Sequence, residues 1–216
     1  MSKLIKHHLT DDLLMAYAAG SLPEAFNLMV STHLSLCDHC RARAESYDAV
    51  GGQVLDEQSE GVSMSETSLA ATMALIAQGA PAPKPVRPGC AVLPAPLQDY
   101  VGGTVKDIRW RSIGMGVKQV ILPTTKDATA RLLFIPAGAA VPDHGHNGME
   151  LTMVLQGAFS DEVDRFARGD VEIADEDLEH TPVADISEDC ICLAVTDAPL
   201  KFNKLMPRLF QPFLRI

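Results

Sequence analysis

Long apolar runs are missing from this chain of 216 residues: nowhere does it approach the ~20 consecutive apolar residues that a membrane span requires. The opening segment, Met1-Ser2-Lys3-Leu4-Ile5-Lys6-His7-His8, also lacks the apolar core of a secretory signal. Both absences predict a soluble, cytoplasmic protein. Basic residues are scarce as well. Eighteen Lys and Arg face 28 Asp and Glu, and the net charge of −10 argues against direct contact with nucleic acid, which needs a basic footprint for the phosphates. Aromatics amount to 5%, with one tryptophan, Trp110, expected to pack in the barrel described below and not to bind a ligand. There are five cysteines, Cys37, Cys40, Cys90, Cys190 and Cys192. An odd count in an intracellular chain reads as ligands, redox thiols or small core residues, not as a disulfide framework.

What is present suffices for a core: 47% of residues are apolar and 21% charged, a globular composition of a length that suits one large domain or two small ones. The charge is uneven. Residues 1–80 carry four basic and ten acidic side chains, net −6, and the remaining fourteen basic and eighteen acidic leave −4. An acidic segment suits a basic, nucleic-acid-binding partner, since complementary charge speeds encounter.

Residues 10–50 read as helices. Thr10 caps a first one whose opening turn holds Asp11 and Asp12, and Gly20 stops it. Ser21-Leu22-Pro23-Glu24 has capping-box spacing for a second helix, with Phe26, Met29, Val30, His33 and Leu34 on one stripe. A third is expected from Asp38 to Gly51-Gly52, and a fourth over Ser65–Gln78 with Leu69, Met73 and Ile76 on one side. From Gly79 to Pro96 the pattern breaks: six of the fourteen prolines fall here, which excludes regular structure and favours an extended spacer. Beyond residue 100, short strands punctuated by Gly, Pro and Asp are expected at Val117–Leu122, Ala130–Ile135, Glu150–Leu155, Ala158–Phe159, Asp170–Ile173 and Cys190–Val195, an all-β sandwich or barrel.

Two residue groups carry chemistry. His33-x3-Cys37-x2-Cys40 puts His33 and Cys37 four apart on one helix face, with Cys40 reaching them across the turn. Three nitrogen and sulfur ligands suit Zn²⁺, and either His7 or His8 can supply the fourth; His39 is expected to be solvated. The competing readings are a buried thiol pair or a redox Cys-x-x-Cys, whose usual βαβ setting is absent. A histidine near the start followed by this motif between the second and third helices resembles the zinc-binding anti-sigma domain family. That resemblance implies His8, His33, Cys37 and Cys40 as the zinc ligands, and a helical domain that holds an extracytoplasmic-function sigma factor away from RNA polymerase core.

The second group is Gly138-x5-His144-x-His146-x3-Glu150-x6-Gly157, which resembles the first cupin motif at every specified position. Residues two apart point to one side of a strand, and Glu150 keeps that parity across Asn147-Gly148, so all three can converge inside a barrel. Gly169, Asp170 and His180 resemble the second cupin motif in part: its proline and inner glycine positions hold Asp175 and Asp177, and its asparagine position holds Ala184. His144, His146, Glu150 and His180 make a three-histidine, one-carboxylate set compatible with Zn, Mn, Fe or Ni; a metal-free structural barrel is the alternative. Cys190 and Cys192 share a strand face and read as core, with a redox role for the vicinal pair kept open. Cys90 receives no function, and Met149 is assigned to packing beside the motif.

From end to end the chain resembles ChrR-type anti-sigma factors, on the zinc motif, the proline linker, the cupin motif, Glu179-His180-Thr181-Pro182-Val183, Cys190-Ile191-Cys192-Leu193 and the ending Gln211-Pro212-Phe213-Leu214-Arg215-Ile216. The expectation is a multidomain α + β protein: an all-α zinc-binding domain over 1–80, a Pro-rich linker over 81–96 and an all-β cupin jelly-roll barrel over 97–216. The resemblance implies a regulator, not an enzyme. It would form a heterodimer with an extracytoplasmic-function sigma factor, and its cupin domain would govern release under oxidative stress, especially singlet oxygen. The alternative class is a cupin metalloenzyme, a dioxygenase or isomerase, with a helical recruitment domain.

Overall fold

The computed structural model describes residues 4–58, 61, 63–79, 89–141, 144–145, 147–175, 180–199 and 201–202. The expected linker over 81–96 is therefore described only from Gly89, and it leads into a helix at Ala95. Helices α1 (Asp11–Ala18), α2 (Glu24–Leu34), α3 (Asp38–Gln58), α4 (Ser68–Ala77) and α5 (Ala95–Val101) come first in the chain. Strands β1 (Arg111–Gly114), β2 (Val117–Ile121), β3 (Thr129–Ile135), β4 (His144–Gly145), β5 (Glu150–Gln156) and β6 (Ala158–Ser160) follow. The remaining strands are β7 (Arg165–Ala167), β8 (Val171–Ala174), β9 (Val183–Ala184), β10 (Cys190–Thr196) and β11 (Lys201–Phe202).

The helix starts show which local signals decide. Thr10 caps α1 as its sequence predicts, its hydroxyl accepting from the Leu13 N–H at 3.4 Å. The capping box expected at Ser21 does not form. Pro23 is the cap residue of α2, without a side-chain cap bond, and the Ser21 hydroxyl donates to the Ala16 carbonyl at 3.1 Å to close the α1–α2 turn. Proline's fixed φ, here −56°, sets the helix entry without that bond. Helix α3 also departs from expectation by running through Gly51-Gly52 to Gln58. A helical glycine costs about 1 kcal/mol relative to alanine, a penalty that lowers propensity without forcing a stop. The Arg43 Nε donates to Asp11 Oδ1 at 2.7 Å, tying α3 to α1.

The strands form a six-stranded antiparallel sheet in the order β1-β2-β3-β10-β5-β8, a smaller sheet β7-β6-β9, and a β4–β11 pair. Period-two alternation gives the large sheet two unlike faces. Ala130, Leu132, Leu151, Met153, Leu155, Val171, Ile191, Leu193 and Val195 face outward and join one apolar core with Phe26, Met29 and Val30 of α2. Helix α2 packs against β3, β5 and β10 on that face, and its first turn is fastened by Glu24, which accepts from the Tyr100 hydroxyl at 2.7 Å and the Thr125 N–H at 2.6 Å. The inward face carries Val117, Ile135, Val154, Cys190 and Cys192, which meet Phe159, Phe166 and Ala184 of the small sheet in a second core. That enclosure is a cupin-like jelly roll with helices packed on its outside. Trp110 packs edge-on to Phe134, ring centroids 5.9 Å apart, against the outward-face core and not within the barrel where it was expected.

The glycine that ends the first cupin motif has a physical reason to be glycine. Gly157 adopts φ +71°, and a Cβ there would lie 2.7 Å from the Asp189 carbonyl oxygen, so the β5–β6 turn can close against the start of β10 only without a side chain.

Candidate metal centres

His8, His33, Cys37 and Cys40 are brought together, with one ligand atom from each lying within 4.8 Å of every other. Local structure does most of this. His33 stands in the last turn of α2, the Cys37 N–H bonds the His33 carbonyl at 2.9 Å to continue the helical spacing, and Cys40 lies in the first turn of α3. Cys37 precedes α3, where its Sγ receives the Cys40 N–H at 3.4 Å. The fourth member comes from the extended segment before α1. His8 Nδ1 lies 3.3 Å from Cys37 Sγ and 3.5 Å from Cys40 Sγ. His7 is turned away: its Nε2 bonds Asp164 Oδ2 at 3.1 Å and its ring packs on Phe166. His39 is exposed and lies beside the His8 ring without joining the group.

The electrostatics suit a divalent cation. His33 is fully buried; its Nδ1 bonds the Gly169 carbonyl at 3.0 Å, while Nε2 is buried with no hydrogen-bond partner. Burial pulls this imidazole down to about 4, so it stands neutral with a lone pair to give. Burial, and then the neighbouring Cys37, push the Cys40 thiol up to about 11. Two nitrogens and two sulfurs converge, one of the nitrogens buried without a hydrogen-bond partner, a set that matches tetrahedral Zn²⁺, whose charge would hold the thiols as thiolates.

The barrel holds a second group. Of the four residues expected to ligate there, His146 and the His144 side chain lie outside the described residues. Glu150 is buried, and its Oε1 accepts from the Thr152 hydroxyl at 3.1 Å. His180 is buried, with Nδ1 2.8 Å from Glu172 Oε1 and 3.2 Å from Asp161 Oδ2. Asp161, Glu172 and His180 also present ligand-type atoms within 4.8 Å of one another. Burial pushes the Glu172 carboxyl up to about 7. Burial depresses the His180 imidazole, but the Glu172 and Asp161 carboxylates outweigh it and raise the ring to about 9. With Nδ1 held by two carboxylates, Nε2 is the nitrogen with which His180 can meet a cation, once the cation displaces the Nε2 proton.

Sequence reasoning missed Asp161 and Glu172. Glu172 carried a signal, since it breaks the apolar run Val171–Ala174 at an inward position, and register sets it opposite Thr152 on β5. Arg131 is similar: a buried guanidinium at an inward position of β3, its pKa lowered by burial and drawn back up by the charge of Glu150. Asp161 lies in the β6–β7 turn and carried no such signal. Cys190 and Cys192 lie in the inner core, their Sγ atoms 3.4 Å apart, and the hydrogen bond between them, with burial, pushes the Cys192 thiol well up. Met149 is exposed beside the motif.

Known proteins match this chain over nearly its whole length. The ChrR cupin-like domain family matches residues 98–200. The anti-sigma-E factor ChrR of Cereibacter sphaeroides is 61% identical over 212 residues, which span 98% of this chain and 99% of that protein. A crystal structure of Rhodobacter sphaeroides SigE in complex with the anti-sigma ChrR superposes with a TM-score of 0.78 at 59% identity, covering 89% of this chain and 99% of the matched one.

Proposed function

The chain belongs to the family of ChrR-type anti-sigma factors, and from that premise we propose that it is itself an anti-sigma factor. It binds an extracytoplasmic-function sigma factor as a heterodimer through residues 1–80 and withholds it from RNA polymerase core. The observation that carries this reading is an apolar helix left exposed. Helix α4 has no buried residue, and Leu69, Met73, Leu75 and Ile76 are 72%, 57%, 65% and 65% exposed. The distal half of α3 adds Val50, Val54 and Leu55, all exposed. Exposed apolar side chains in such number are costly unless a partner covers them. The relative solved as a complex is bound to SigE, and the net charge of −6 over residues 1–80 suits a partner that also binds DNA.

In this reading His8, His33, Cys37 and Cys40 hold Zn²⁺ and pin the α2–α3 corner to the segment before α1. The donor set and the buried Nε2 of His33 support it. In the barrel, His144, His146, Glu150 and His180 hold zinc, manganese, iron or nickel. Such an ion would supply a fixed positive charge among buried carboxylates, while Glu172 and Asp161 orient the His180 ring. The barrel governs release of the sigma factor under oxidative stress, singlet oxygen included; thiolate ligands and the buried Cys190–Cys192 pair are the oxidisable groups that support this. The protein acts in the cytoplasm, a reading supported by the absence, among the described residues, of a helix long and apolar enough to cross a membrane. A cupin dioxygenase or isomerase is disfavoured, because the kinship with an anti-sigma factor extends over the whole chain.

Co-expression of the full chain with extracytoplasmic-function sigma factors of its source tests this. The native chain is expected to retain one of them, and a Leu69→Glu/Met73→Glu/Ile76→Glu variant to lose it at least tenfold while keeping its helicity. Retention of no sigma factor by the native, folded chain would overturn the reading and reopen the enzyme.

A further inference from the structure

We propose that the barrel turn at Gly169-Asp170 is part of the N-terminal His/Cys centre, and that strand β8 couples that centre to His180 inside the barrel. The inference rests on the metal-binding reading given above. Four consecutive residues, Gly169 to Glu172, each contact one of the two groups or the segment beside it. The Gly169 carbonyl accepts from His33 Nδ1 at 3.0 Å, the bond that leaves Nε2 turned to the thiols. Asp170 is buried, and its Oδ1 accepts the Lys6 and His7 N–H groups at 2.6 and 3.0 Å, while its Oδ2 takes the Ala167 N–H at 2.9 Å. The Val171 N–H donates to the His7 carbonyl at 3.2 Å. Residues 6 and 7 are thereby held against the barrel through both the N–H and the carbonyl of His7, which places the next residue, His8, over Cys37 and Cys40. Glu172, on the opposite face of β8, holds His180 Nδ1 at 2.8 Å.

Two of the four ligands in the helical region therefore owe their orientation to the barrel. Groups that hold the far nitrogen of a ligating histidine typically alter metal affinity 10–100-fold when removed. The approach is close. Gly169 adopts φ +92°, a conformation that favours glycine, and a Cβ there would lie 2.6 Å from Ile5 Cδ1, so a side chain would displace Ile5 of the N-terminal segment. Strand β8 lies in a packed sheet with Val171 in the outward core, and a densely packed strand passes a displacement from one face to the other instead of absorbing it. A cation at His180 that draws on Glu172 then acts on the backbone that carries Gly169 and Asp170. By linkage, occupancy of either centre changes affinity at the other by one and the same factor.

The test uses the full chain and Co²⁺, whose thiolate charge-transfer absorption reports the His/Cys centre, with calorimetry for the barrel. Asp170→Asn keeps the shape but removes one charged acceptor, and is expected to weaken the thiolate centre about tenfold or more. Glu172→Gln and His180→Gln, whose changes lie in the barrel, are expected to shift the same thiolate-centre affinity by about fivefold or more. Cys40→Ser is expected to shift barrel affinity by the factor that His180→Gln shows in the other direction. If all three barrel variants remain folded and leave the cobalt–thiolate affinity within twofold, the proposal is wrong. An effect of Asp170→Asn alone would overturn the coupling through β8. No thiolate band in the native chain would instead refute the zinc reading itself.

Discussion

Helices α2 and α4 resemble each other in sequence and differ in what surrounds them. Both are rich in apolar residues at helical spacing, Phe26-Met29-Val30 in one and Leu69-Met73-Ile76 in the other. Helix α2 is buried against the barrel's outward face and flanked by α1, α3 and α5, while no residue of α4 is buried. Amphipathic content alone thus does not say whether a helix serves the fold or a partner. The neighbours decide: α2 carries Glu24 and His33, each of which bonds a group far away in the chain, and such anchors bring its apolar stripe onto the sheet. Helix α4 is followed by a proline-rich stretch, and its stripe is exposed.

The sharpest way to break this contrast is to remove what holds α2 in place. Cys37→Ser is expected to abolish zinc binding at the helical centre and cost several kcal/mol of folding free energy, read by metal analysis and thermal unfolding. Full zinc content or an unchanged unfolding midpoint would show that the α2–α3 corner stands without the metal. A smaller effect separates the helices directly. Phe26→Ala is expected to destabilise the isolated chain by about 3–5 kcal/mol, because it opens a cavity in a closed core. Met73→Ala should stay within about 0.5 kcal/mol in the same chain, yet weaken binding of the sigma factor by about 1 kcal/mol or more. Equal destabilisation by both substitutions would mean that α4 is packed in solution.

Smaller again is Gly51→Ala. The site is helical, and a Cβ added there would meet nothing within 4 Å, so alanine should stabilise the chain by up to about 1 kcal/mol. A loss of stability would mean that α3 ends at Gly51-Gly52, as the sequence alone suggests. The smallest effect concerns Asp185, on the barrel and away from both helices. Its hydrogen bond from Arg165 holds the carboxyl down at about 2, below its ordinary 3.8. A depressed carboxylate stabilises the fold above pH about 4 and loses that contribution as pH falls toward 2. Asp185→Asn should therefore be slightly less stable than the native chain at pH 7, with a gap that narrows as the pH drops below 4. A gap independent of pH would assign the effect to packing.

Much of the site was legible because it is local. His33, Cys37 and Cys40 meet through helical spacing and one tight turn, so their types and intervals suffice. The strand positions of Glu150, Cys190 and Cys192 follow from alternation, and β2, β3, β5 and β10 lie within a residue of where the pattern puts them. Among the strands of two to four residues, β6 and β8 were anticipated, but β1, β4, β7, β9 and β11 were not, because so short a segment carries little periodicity to register.

What the sequence by itself determined is therefore the convergence of His33, Cys37 and Cys40, the helix-then-barrel order and the faces of the longer strands, all set by periodicities of a few residues. Tertiary structure decided the rest. Choosing His8 over His7 required Asp164 and Phe166 to claim the other ring, and joining Asp161 and Glu172 to His180 required the barrel to close. The bond from His33 to Gly169 spans 136 residues. Such contacts depend on how packed faces bring distant turns together, and no interval along the chain encodes them.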